Sequence, residues 1–404
     1  MSDARRDDVG RVFRERSGRA VAALIRVFGD IDVAEDAVQD AFAIALRTWP
    51  AEGLPANPYA WIVATGRSRA IDRLRRESLG RALLGDVVRE RFDVEEPEPE
   101  LHPVDDDSLR LIFTCCHPAL SGEAQVALTL RLLCGLATRD VAHAFLVEES
   151  AMAQRLVRAK RKIKSAHIPY RVPAHDELPL RLPPVLAVVY LVYNAGAGRP
   201  GGEVEDLATE GLRLARLLRS LLPDEPEVAG LLALVLFGES RRATRFAADG
   251  SLVLLRDQER DRWHRGHLEE ARTLLRQCLA RDRPGPYQLQ AAIQAVHADA
   301  ARAEHTDWRQ IVALYDHLLR LGPSPVVALN RAIAVGEVEG PAEALALVDE
   351  LELSGYYPYH ATRADLLRRI GRCAEARAAY RRASELAPAG AERDYLDGRV
   401  ESLG

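Results

Sequence analysis

One short basic stretch carries the clearest chemical signal in this sequence. The residues from Thr138 to Lys164 have the pattern of a short helix, a tight turn and a second, basic helix. Lys160, Lys162 and Lys164 are the only three lysines of the chain, and the stretch from Ser150 to Lys164 has no acidic residue. Such a pattern is typical of a helix-turn-helix whose second helix lies in the major groove of DNA. The stretch therefore predicts a DNA-binding element.

The positions along this second helix predict two kinds of DNA contact. In a helix-turn-helix, the first residues of the second helix reach base edges and later residues bind phosphates. The base-proximal candidates are Ser150, Ala151, Ala153 and Gln154. The phosphate-binding candidates are Arg155, Arg158, Lys160, Arg161 and Lys162. The apolar residues expected to face the core instead are Met152, Leu156 and Ile163.

Two N-terminal helices show further candidate surfaces. The segment from Val33 to Trp49 predicts an amphipathic helix with one compact polar face, formed by Glu35, Asp36, Gln39 and Asp40. The segment from Asn57 to Ser78 places Trp61 ahead of arginines that alternate with apolar residues. An aromatic ring followed by a basic stripe suits single-stranded DNA, with each stacked base contributing about 1–3 kcal/mol. A solvated helix surface would show the same arginine pattern, so the two interpretations stay open at this point.

These motifs together resemble the sigma factors of the extracytoplasmic-function (ECF) group. The family's polymerase-binding pattern is matched by Ala34-Glu35-Asp36, Gln39, Asp40 and Phe42. Its promoter-melting pattern is matched by Trp61-Ile62, Arg67, Ile71-Asp72 and Arg75-Arg76. The basic helix resembles region 4 of the family, through Arg155, Arg158, Ala159 and Arg161. The sequence departs from the family at Gly66, where Ala is usual, and at Ser68, where Asn is usual.

The resemblance implies three sets of site residues and two partners. Core RNA polymerase would bind Glu35, Asp36, Gln39, Asp40 and Phe42. The melted −10 promoter element would bind Trp61, Arg67, Ser68, Arg69, Asp72, Arg75 and Arg76. The basic helix and its candidates named above would bind the −35 element in duplex DNA. Neither basic patch looks sufficient for tight binding by itself, so we expect function to require the polymerase.

Composition is consistent with a soluble, cytoplasmic protein of several domains. The chain has 404 residues, too many for one ordinary domain, and 48% of them are hydrophobic, enough for real cores. Its net charge is −5, so any nucleic-acid-binding charge has to be local. The five cysteines form no CxxC pair, which favours a reducing compartment. No signal peptide is evident at the N-terminus, and the longest apolar runs are far too short to span a membrane.

The predicted architecture is all-α, with two small helical DNA-binding domains followed by a larger helical domain. Residues 1–91 would form region 2 and residues 108–168 region 4. Between them, residues 92–107 would form a flexible linker, since eight of these sixteen residues are acidic and three are proline. This linker would be either a solvated spacer or a peptide that threads the polymerase's basic interior, as the resemblance implies. A proline-rich connector would occupy residues 169–183, ahead of a helical extension over residues 184–404.

The end of the extension repeats a pattern of helix, glycine-containing turn and alanine-rich helix. The two copies begin at Val327 and Ala361, 34 residues apart, and the second resembles a tetratricopeptide (TPR) repeat. Stacked repeats of this kind form concave protein-binding surfaces. The order of the parts resembles the sigma sub-group often called ECF42, which carries a C-terminal TPR domain. A protein partner or an intramolecular contact through this extension is therefore expected.

Other chemistry finds little support in the sequence. Cys115-Cys116-His117 and the pair His264 and His267 suggest metal ligands, but neither group has further ligands at a suitable spacing. No phosphate-binding or catalytic motif is evident, so we expect no enzymatic activity, no cofactor and no metal. The leading hypothesis is a promoter-specific sigma factor with a regulatory extension. The alternatives are a TPR-scaffold adaptor, a DNA-binding regulator that is not a sigma factor, and an enzyme within residues 184–300.

Overall fold

The computed structural model describes residues 2–79, 104–145, 147–174, 176–197 and 207–403. Over this part of the chain all regular secondary structure is helical, apart from one isolated antiparallel bridge between Phe246 and Leu252. The predicted all-α class is therefore confirmed. The chain divides into two compact units, Met1–Val192 and Tyr193–Gly404. Each unit is described by itself below.

Unit 1 begins with three packed helices: α1 (Ser2–Phe28), α2 (Ile31–Glu52) and α3 (Pro58–Leu79). Gly29 ends α1 with a φ of 69°, a left-handed conformation that favours glycine. Asp30 then caps α2, because its carboxylate accepts hydrogen bonds from the amides of Asp32 and Val33 at 2.9 and 3.3 Å. The apolar stripe of α2 that the periodicity predicts is buried at Ala34, Val38, Ala41, Phe42, Ala45 and Trp49, but its remaining member, Leu46, is exposed.

Four further helices complete the part of unit 1 that carries the basic stretch. They are α4 (Val104–Cys115), α5 (Gly122–Leu128), α6 (Thr138–Ala144) and α7 (Glu149–Ser165). Ser121 caps α5 by accepting a hydrogen bond from the Ala124 amide at 3.4 Å. A single π-helical segment, Thr129–Leu133, follows α5 directly and packs against both α1 and α4. Gly135, with a φ of 72°, then allows the chain to turn toward α6.

Two predicted boundaries of unit 1 were wrong. The predicted linker of residues 92–107 extends too far, because its last four residues form the first turn of α4 and Asp107 is buried there. Arg26 and Arg110 neutralise Asp107 at 3.0 and 3.5 Å, which favours the helix over a solvated chain. The rest of that linker, residues 92–103, lies outside the described residues.

The proline-rich connector also ends earlier than predicted. Helix α8 (Leu178–Ala197) contains Pro183 and Pro184, although proline removes a helical hydrogen bond and usually breaks a helix interior. Burial of the residues that follow, such as Val185 and Val189, explains why the helix continues. By length and composition, α8 is also the one described helix that is apolar enough to cross a membrane. Buried core helices pass the same test, so this is weak evidence for a membrane span.

The division between the two units falls within α8. Unit 2 then continues with ten helices in the described residues: α9 (Leu207–Leu221), α10 (Pro226–Ser240), α11 (Arg265–Leu279), α12 (Pro286–Asp299), α13 (Trp308–Leu321), α14 (Pro325–Val338), α15 (Pro341–Asp349), α16 (Tyr357–Arg369), α17 (Cys373–Leu386) and α18 (Ala391–Glu401). Helix α10 is the most deeply buried of them, and it packs against α9, α11 and α12. The bridge between Phe246 and Leu252 lies in a short excursion, residues 245–255, between α10 and α11.

The last helices of unit 2 have the predicted pairwise arrangement. Helices α14 and α15 pack together across Gly340, and α16 and α17 pack together across Gly371; both glycines have positive φ. Gly336 lets α15 approach closely, because a Cβ there would lie 3.0 Å from the Cβ of Ala344. A shared core, formed mainly by alanine and leucine side chains with Tyr380 among them, joins the two pairs. The assignment of these pairs to the TPR family stays a prediction.

Candidate polymerase and nucleic-acid interfaces

The polar face of α2 is the first candidate surface. Asp36, Gln39 and Asp40 are exposed on this face, as the helical spacing predicts. Phe42 is different: its side chain is buried, and its ring meets that of Phe13 edge to face at 4.6 Å between centroids. Phe42 therefore holds α2 against α1 in this structure and offers no surface to a partner.

Glu35 belongs to the same predicted set, but other parts of unit 1 cover it. The Glu35 carboxylate accepts hydrogen bonds from Arg131 at 2.6 Å, from Lys160 at 3.2 Å and from Gln39 at 3.2 Å. Its side chain is consequently only 11% exposed. Lys160 also pairs with Asp32 at 2.5 Å. Burial opposes the charge of Lys160, but the contacts with Asp32 and Glu35 outweigh it and raise the pKa of the ammonium group.

A second candidate surface is a basic groove between α2 and α3. This groove is a cavity of about 470 Å³, lined by Asp40, Ala43, Ile44, Arg47, Arg69, Arg73 and Arg76. Arg69, Arg73 and Arg76 are spaced at i, i+4 and i+7, so they lie on one face of α3. Arg73 pairs with Asp36 at 2.8 Å, which ties the basic groove to the acidic face of α2. Four arginines beside one another make a surface that attracts phosphate groups.

The remaining −10 candidates do not line the groove. Ser68, Asp72 and Arg75 are exposed and, at i, i+4 and i+7, share a second face of α3. The ring of Trp61 packs edge to face on the buried Trp49, at 5.1 Å between centroids, so it is only partly open to a base. Arg67 is half-buried, and its Nε atom is fully enclosed without a hydrogen-bond partner.

Gly66 is explained by packing. A Cβ at this position would lie 3.0 Å from the carbonyl oxygen of Ala37 on α2 and 3.1 Å from a methyl group of Leu24 on α1. The glycine therefore lets α3 approach the other two helices closely, and this closeness also brings the arginines of the groove to α2. The departure from the usual alanine thus has a structural reason within this chain.

The first half of α7 places the base-proximal candidates on an open face. Ser150, Ala151, Ala153 and Gln154 are all exposed. The three residues expected in the core, Met152, Leu156 and Ile163, are buried, as is Ala159. The small side chains of Ser150, Ala151 and Ala153 would allow the start of the helix to approach a groove closely.

The predicted phosphate-binding residues of α7 separate into two groups. Arg158, Arg161 and Lys162 are exposed and stay available to an anion. Lys160 faces Glu35 and Asp32 instead, as described above, so it is no open cation in this structure. Arg155 pairs with Glu123 at 3.1 Å and lies over the Phe145 ring at 5.5 Å. Arg155 thereby fixes α7 against its neighbours.

Sequence reasoning missed several residues of these surfaces. Arg47 and Arg73 line the groove but are absent from the predicted −10 set, although Arg73 belongs to the arginine stripe of that segment. Helical spacing to the other groove residues was a usable signal for both. Arg131, Asp30 and Asp32 gain importance only through contacts between distant segments, which no local pattern reveals. Lys164 is an example, because its ammonium group lies 3.3 Å from Asp30, more than 130 residues earlier in the chain.

Unit 2 contains a separate cavity of about 630 Å³. Its lining includes Trp308, Tyr380, Tyr395, Arg256 and Arg369, together with residues of the excursion and of α12 and α14. Its aromatic walls and mixed charges give no clear preference for one class of ligand. His297 lines the same cavity, and burial, reinforced by nearby arginines, lowers the pKa of its imidazole to about 4.

The residues that suggested metal ligands in the sequence have structural partners. The Cys116 thiol is buried 3.7 Å from the Thr129 hydroxyl, and burial raises its pKa to about 12. His264 caps α11, because its Nδ1 atom accepts a hydrogen bond from the His267 amide at 3.1 Å. In the described part of the chain, no group of three potential ligands comes together.

Comparison with known proteins gives two matching families and a set of relatives. Residues 12–79, which form most of α1 and all of α2 and α3, match Sigma-70 region 2. Residues 181–279 match a family of unknown function, DUF6596. A protein of Mycobacterium tuberculosis (strain H37Rv), named Probable ECF RNA polymerase sigma factor SigI, is 27% identical over 166 residues. That alignment covers 40% of this chain and 56% of the SigI protein.

A longer match comes from Rhizobium meliloti (strain 1021). An uncharacterized protein of this organism is 45% identical over 396 residues, which cover 95% of this chain and 93% of that protein. The match extends through both units, so the helical extension belongs to the shared architecture. The chain therefore belongs to the same family as the Rhizobium meliloti protein, and its residues 12–79 are similar to Sigma-70 region 2.

Proposed function

We propose that this protein is an ECF-type sigma factor, which binds core RNA polymerase and directs it to specific promoters. The observation that carries the proposal is the match of residues 12–79 to Sigma-70 region 2. It coincides with the three helices that hold both the acidic face of α2 and the basic groove. The weaker similarity to SigI supports the ECF type.

In this proposal the acidic face of α2 binds the polymerase. Asp36, Gln39 and Asp40 form the accessible part of the face, and Glu35 joins them when Arg131 and Lys160 leave it. A rim of carboxylates on a rigid helix suits a basic partner surface and speeds its association.

The basic groove and α3 then hold the melted −10 strand. Arg47, Arg69 and Arg76 supply charge for the phosphates, and Arg73 adds to it from its pair with Asp36. Trp61 is the stacking candidate, although its packing against Trp49 leaves it only partly exposed. Ser68 and Asp72 are the exposed polar groups nearest to the bases.

Helix α7 reads the −35 element in duplex DNA. Helices α6 and α7 are joined by residues 145–148, a connection short enough for a helix-turn-helix. The exposed small residues at the start of α7 would meet base edges. Arg158, Arg161 and Lys162 would hold the phosphates on either side.

The extension in unit 2 is the proposed regulatory part. Its paired helices α14 to α17 suit a TPR-like platform for a protein partner, as in the ECF42 sub-group. A soluble protein that acts with RNA polymerase would work in the cytoplasm.

Run-off transcription with purified core polymerase tests the proposal. Linear templates carrying candidate promoters are transcribed with the full chain, with core polymerase alone and with a variant that reverses the charge of Asp36. We expect defined products only with the unaltered chain. The absence of any promoter-dependent product would contradict the sigma proposal and favour an adaptor or a regulator of another type.

A further inference from the structure

The cavity of unit 2 has the size of a small-molecule site, and many elements contribute to its walls. They come from α12, α13, α14, α16, α17 and α18, and from residues 254–260 between α10 and α11. We call residues 254–263 the wall segment. The volume of about 630 Å³ lies within the ~300–1,000 Å³ that is usual for ligand sites in proteins. Helices from distant parts of unit 2 thus surround one common space.

Buried hydrogen bonds hold the wall segment in place. The side-chain amide of Gln258 donates to the carbonyl oxygen of Val253 at 3.1 Å. Its carbonyl oxygen accepts a hydrogen bond from the Thr244 hydroxyl at 3.4 Å, and the indole N–H of Trp263 donates to the same hydroxyl at 3.1 Å. Gln258, Thr244 and Trp263 are all buried. A satisfied buried network of this kind fixes one arrangement, so this wall of the cavity is preformed.

Arg260 joins the wall segment to the end of α12. Its Nη1 group donates to the carbonyl oxygen of Ala300 at 3.0 Å and to that of His297. The guanidinium group also lies over the Trp263 ring, at 5.0 Å from its centroid. Its Nε and Nη2 atoms carry three further N–H donors. One cation of the lining is therefore held at a fixed place.

Taken by type alone, the charged residues of the lining favour no ligand, but their partners change this. Arg369 pairs with Glu337 at 2.7 Å, and both line the cavity. Asp365, which also lines it, pairs with Arg368 at 2.6 Å. Three of the lining charges are therefore already neutralised within unit 2. A ligand would meet them only as neutral pairs.

Two arginines of the wall segment set the charge that remains. The ion pair of Arg256 with the neighbouring Asp257 is long, at 3.9 Å, and both side chains are more than half exposed, so it contributes little. Arg260 is held by neutral carbonyl groups, which leave its charge in place. Against these two cations stands the exposed carboxylate of Glu304. His297 adds no charge near neutral pH, because burial lowers its pKa to about 4. The balance is positive.

The rest of the lining is apolar or aromatic. The Trp308 ring is held edge to face against that of His297, at 5.2 Å between centroids. Aliphatic side chains of the wall segment, α14 and α16 lie around the same space as the aromatic rings of α13, α17 and α18. These residues are Leu254, Leu255, Ile333, Leu366, Trp308, Tyr380 and Tyr395.

We infer that the cavity of unit 2 binds a small organic anion that has an aromatic or other apolar body and a single acidic group. The acidic group lies against Arg256 and Arg260, since planar guanidinium groups match a carboxylate or a sulfonate. The body packs among the apolar residues of the lining. A multiply charged ligand such as a nucleotide fits less well, because Glu304 repels further negative charge. The inference concerns unit 2 alone and is independent of the sigma proposal.

Two matched fluorescent probes test the acidic group and the body separately. Anilinonaphthalene sulfonate carries one sulfonate on an aromatic body, and N-phenylnaphthylamine has the same body without the sulfonate. Each probe is titrated into the full chain, and its fluorescence rises in an apolar environment. Naphthalene sulfonate and ATP are then compared as competitors, because the first carries one negative charge and the second carries several.

Four variants locate the bound probe. Arg256→Gln removes the open charge of the wall segment, and Arg256→Lys keeps it. Ala361→Phe places a ring in the cavity, which Ala361 lines from α16. Arg309→Gln is the matched control, because it removes the same charge from an exposed position of α13 outside the lining. Circular dichroism and thermal unfolding show whether each variant is folded.

The unaltered chain should bind the sulfonate probe at one saturable site, about fivefold more tightly than the neutral probe. Arg256→Gln should lose this preference and leave the neutral probe unaffected, whereas Arg256→Lys should retain most of it. Arg309→Gln should match the unaltered chain, and folded Ala361→Phe should bind neither probe. Naphthalene sulfonate should displace the sulfonate probe at lower concentrations than ATP does.

Equal affinities of the unaltered chain for the two probes would overturn the inference, whatever happens to Ala361→Phe. The same holds if Arg256→Gln and Arg309→Gln bind the sulfonate probe equally well. Sulfonate binding that does not saturate and persists in folded Ala361→Phe would mean an adventitious additive only. Stronger displacement by ATP would contradict the single acidic group.

These measurements need neither polymerase nor DNA, so their failure is distinct from a failure of the proposed function. If the probes bind as expected but run-off transcription gives no promoter-dependent product, the anion site stands and the sigma proposal falls. If transcripts form while Arg256→Gln leaves probe binding unchanged, the sigma proposal stands and the anion site falls.

Discussion

The two basic helices of unit 1, α3 and α7, present their cations in different ways. On α3, Arg69 and Arg76 line the groove that α2 completes, and they face outward beside Asp40. On α7, the cations divide between two faces: Arg158 and Lys162 point to solvent, whereas Lys160 points to α2.

The angular position around each helix explains the difference. Residues four apart share a face, so Arg158 and Lys162 lie together, and Lys160 and Lys164 lie together on a different side. The buried stripe from Met152 to Ile163 fixes how α7 is rotated. A count of basic residues therefore overstates the DNA-binding surface of α7, and the rotation of the helix decides which cations a phosphate can reach.

The largest expected effect comes from reversing a charge on the acidic face. Asp36→Arg should lower the affinity for core polymerase about 100-fold, because like charges at an interface cost several kcal/mol. Fluorescence anisotropy of the labelled chain with core polymerase measures this affinity. Asp176→Arg, at an exposed position outside all three predicted sites, is the control with the same charge change. Equal affinity of the two variants would remove Asp36 from the interface.

Arg158→Ala tests the solvent-facing cations of α7. If Arg158 holds a phosphate, binding of the −35 duplex should weaken similarly on all sequences, and the salt slope should fall by about one. If it reads a base, the loss should be about 1–3 kcal/mol and specific to one position. Duplex affinity of the polymerase complex at several salt concentrations separates these results, with Arg171→Ala as the control. No change in either quantity would exclude Arg158 from the DNA surface.

Arg76→Gln tests the groove beside α3. Loss of one phosphate contact should reduce the affinity of the polymerase complex for a pre-melted template about fivefold, and its salt slope by about 0.7, the value for single strands. The −35 duplex should bind as before, because Arg76 is remote from α7 in sequence and function. An equal loss on both DNA substrates would show that the two helices do not divide the promoter as proposed.

The smallest expected effect concerns Asp30 and Lys164. Although partial burial opposes it, hydrogen bonds from the Val33 amide and from Lys164 lower the pKa of Asp30. A carboxylate with a lowered pKa stabilises the fold above its unfolded value of about 3.9, and this contribution is lost as the pH falls through the folded value.

Asp30→Asn keeps the helix cap and removes the charge. The variant should therefore lose about 0.5 kcal/mol of unfolding free energy at pH 7, as expected for a partly exposed pair. The difference from the wild type should shrink as the pH falls below about 3.9, toward the lowered pKa of folded Asp30. Urea unfolding over a series of acidic pH values measures it. A difference that persists in acid would mean that Asp30 acts only as a cap.

Local patterns predicted much of unit 1 correctly. The helical periodicity predicted the buried stripe of α2 and the core residues of α7, because burial of apolar side chains dominates both helices. Because the apolar faces of α2 and α7 are turned to the core, the polar candidates on their other faces are accessible: Asp36, Asp40, Gln154 and Arg158. The motif assigns Phe42 to the polymerase-binding set, whereas the helical periodicity of α2 predicts the buried position that its side chain has.

Other features depend on contacts that no local pattern contains. The covering of Glu35 by Arg131 and Lys160 joins residues about 100 positions apart, and the helix that begins at Val104 is stabilised by Arg26, far earlier in the chain. Pro183 and Pro184 predict the end of a helix or a connector, because proline usually breaks a helix interior. Burial of the residues that follow them nevertheless keeps α8 helical. Gly18 is another case, since only the packing of α1 shows that a Cβ there would overlap the carbonyl oxygen of Leu133.

The central claim is that this chain gives core polymerase its choice of promoter. Sequencing the 5′ ends of transcripts made on fragmented genomic DNA, with core polymerase alone and with the full chain added, tests this most directly. We predict a small set of new start sites that share sequence elements near −10 and −35 and that disappear with Asp36→Arg. The same start sites with and without the chain would contradict the claim.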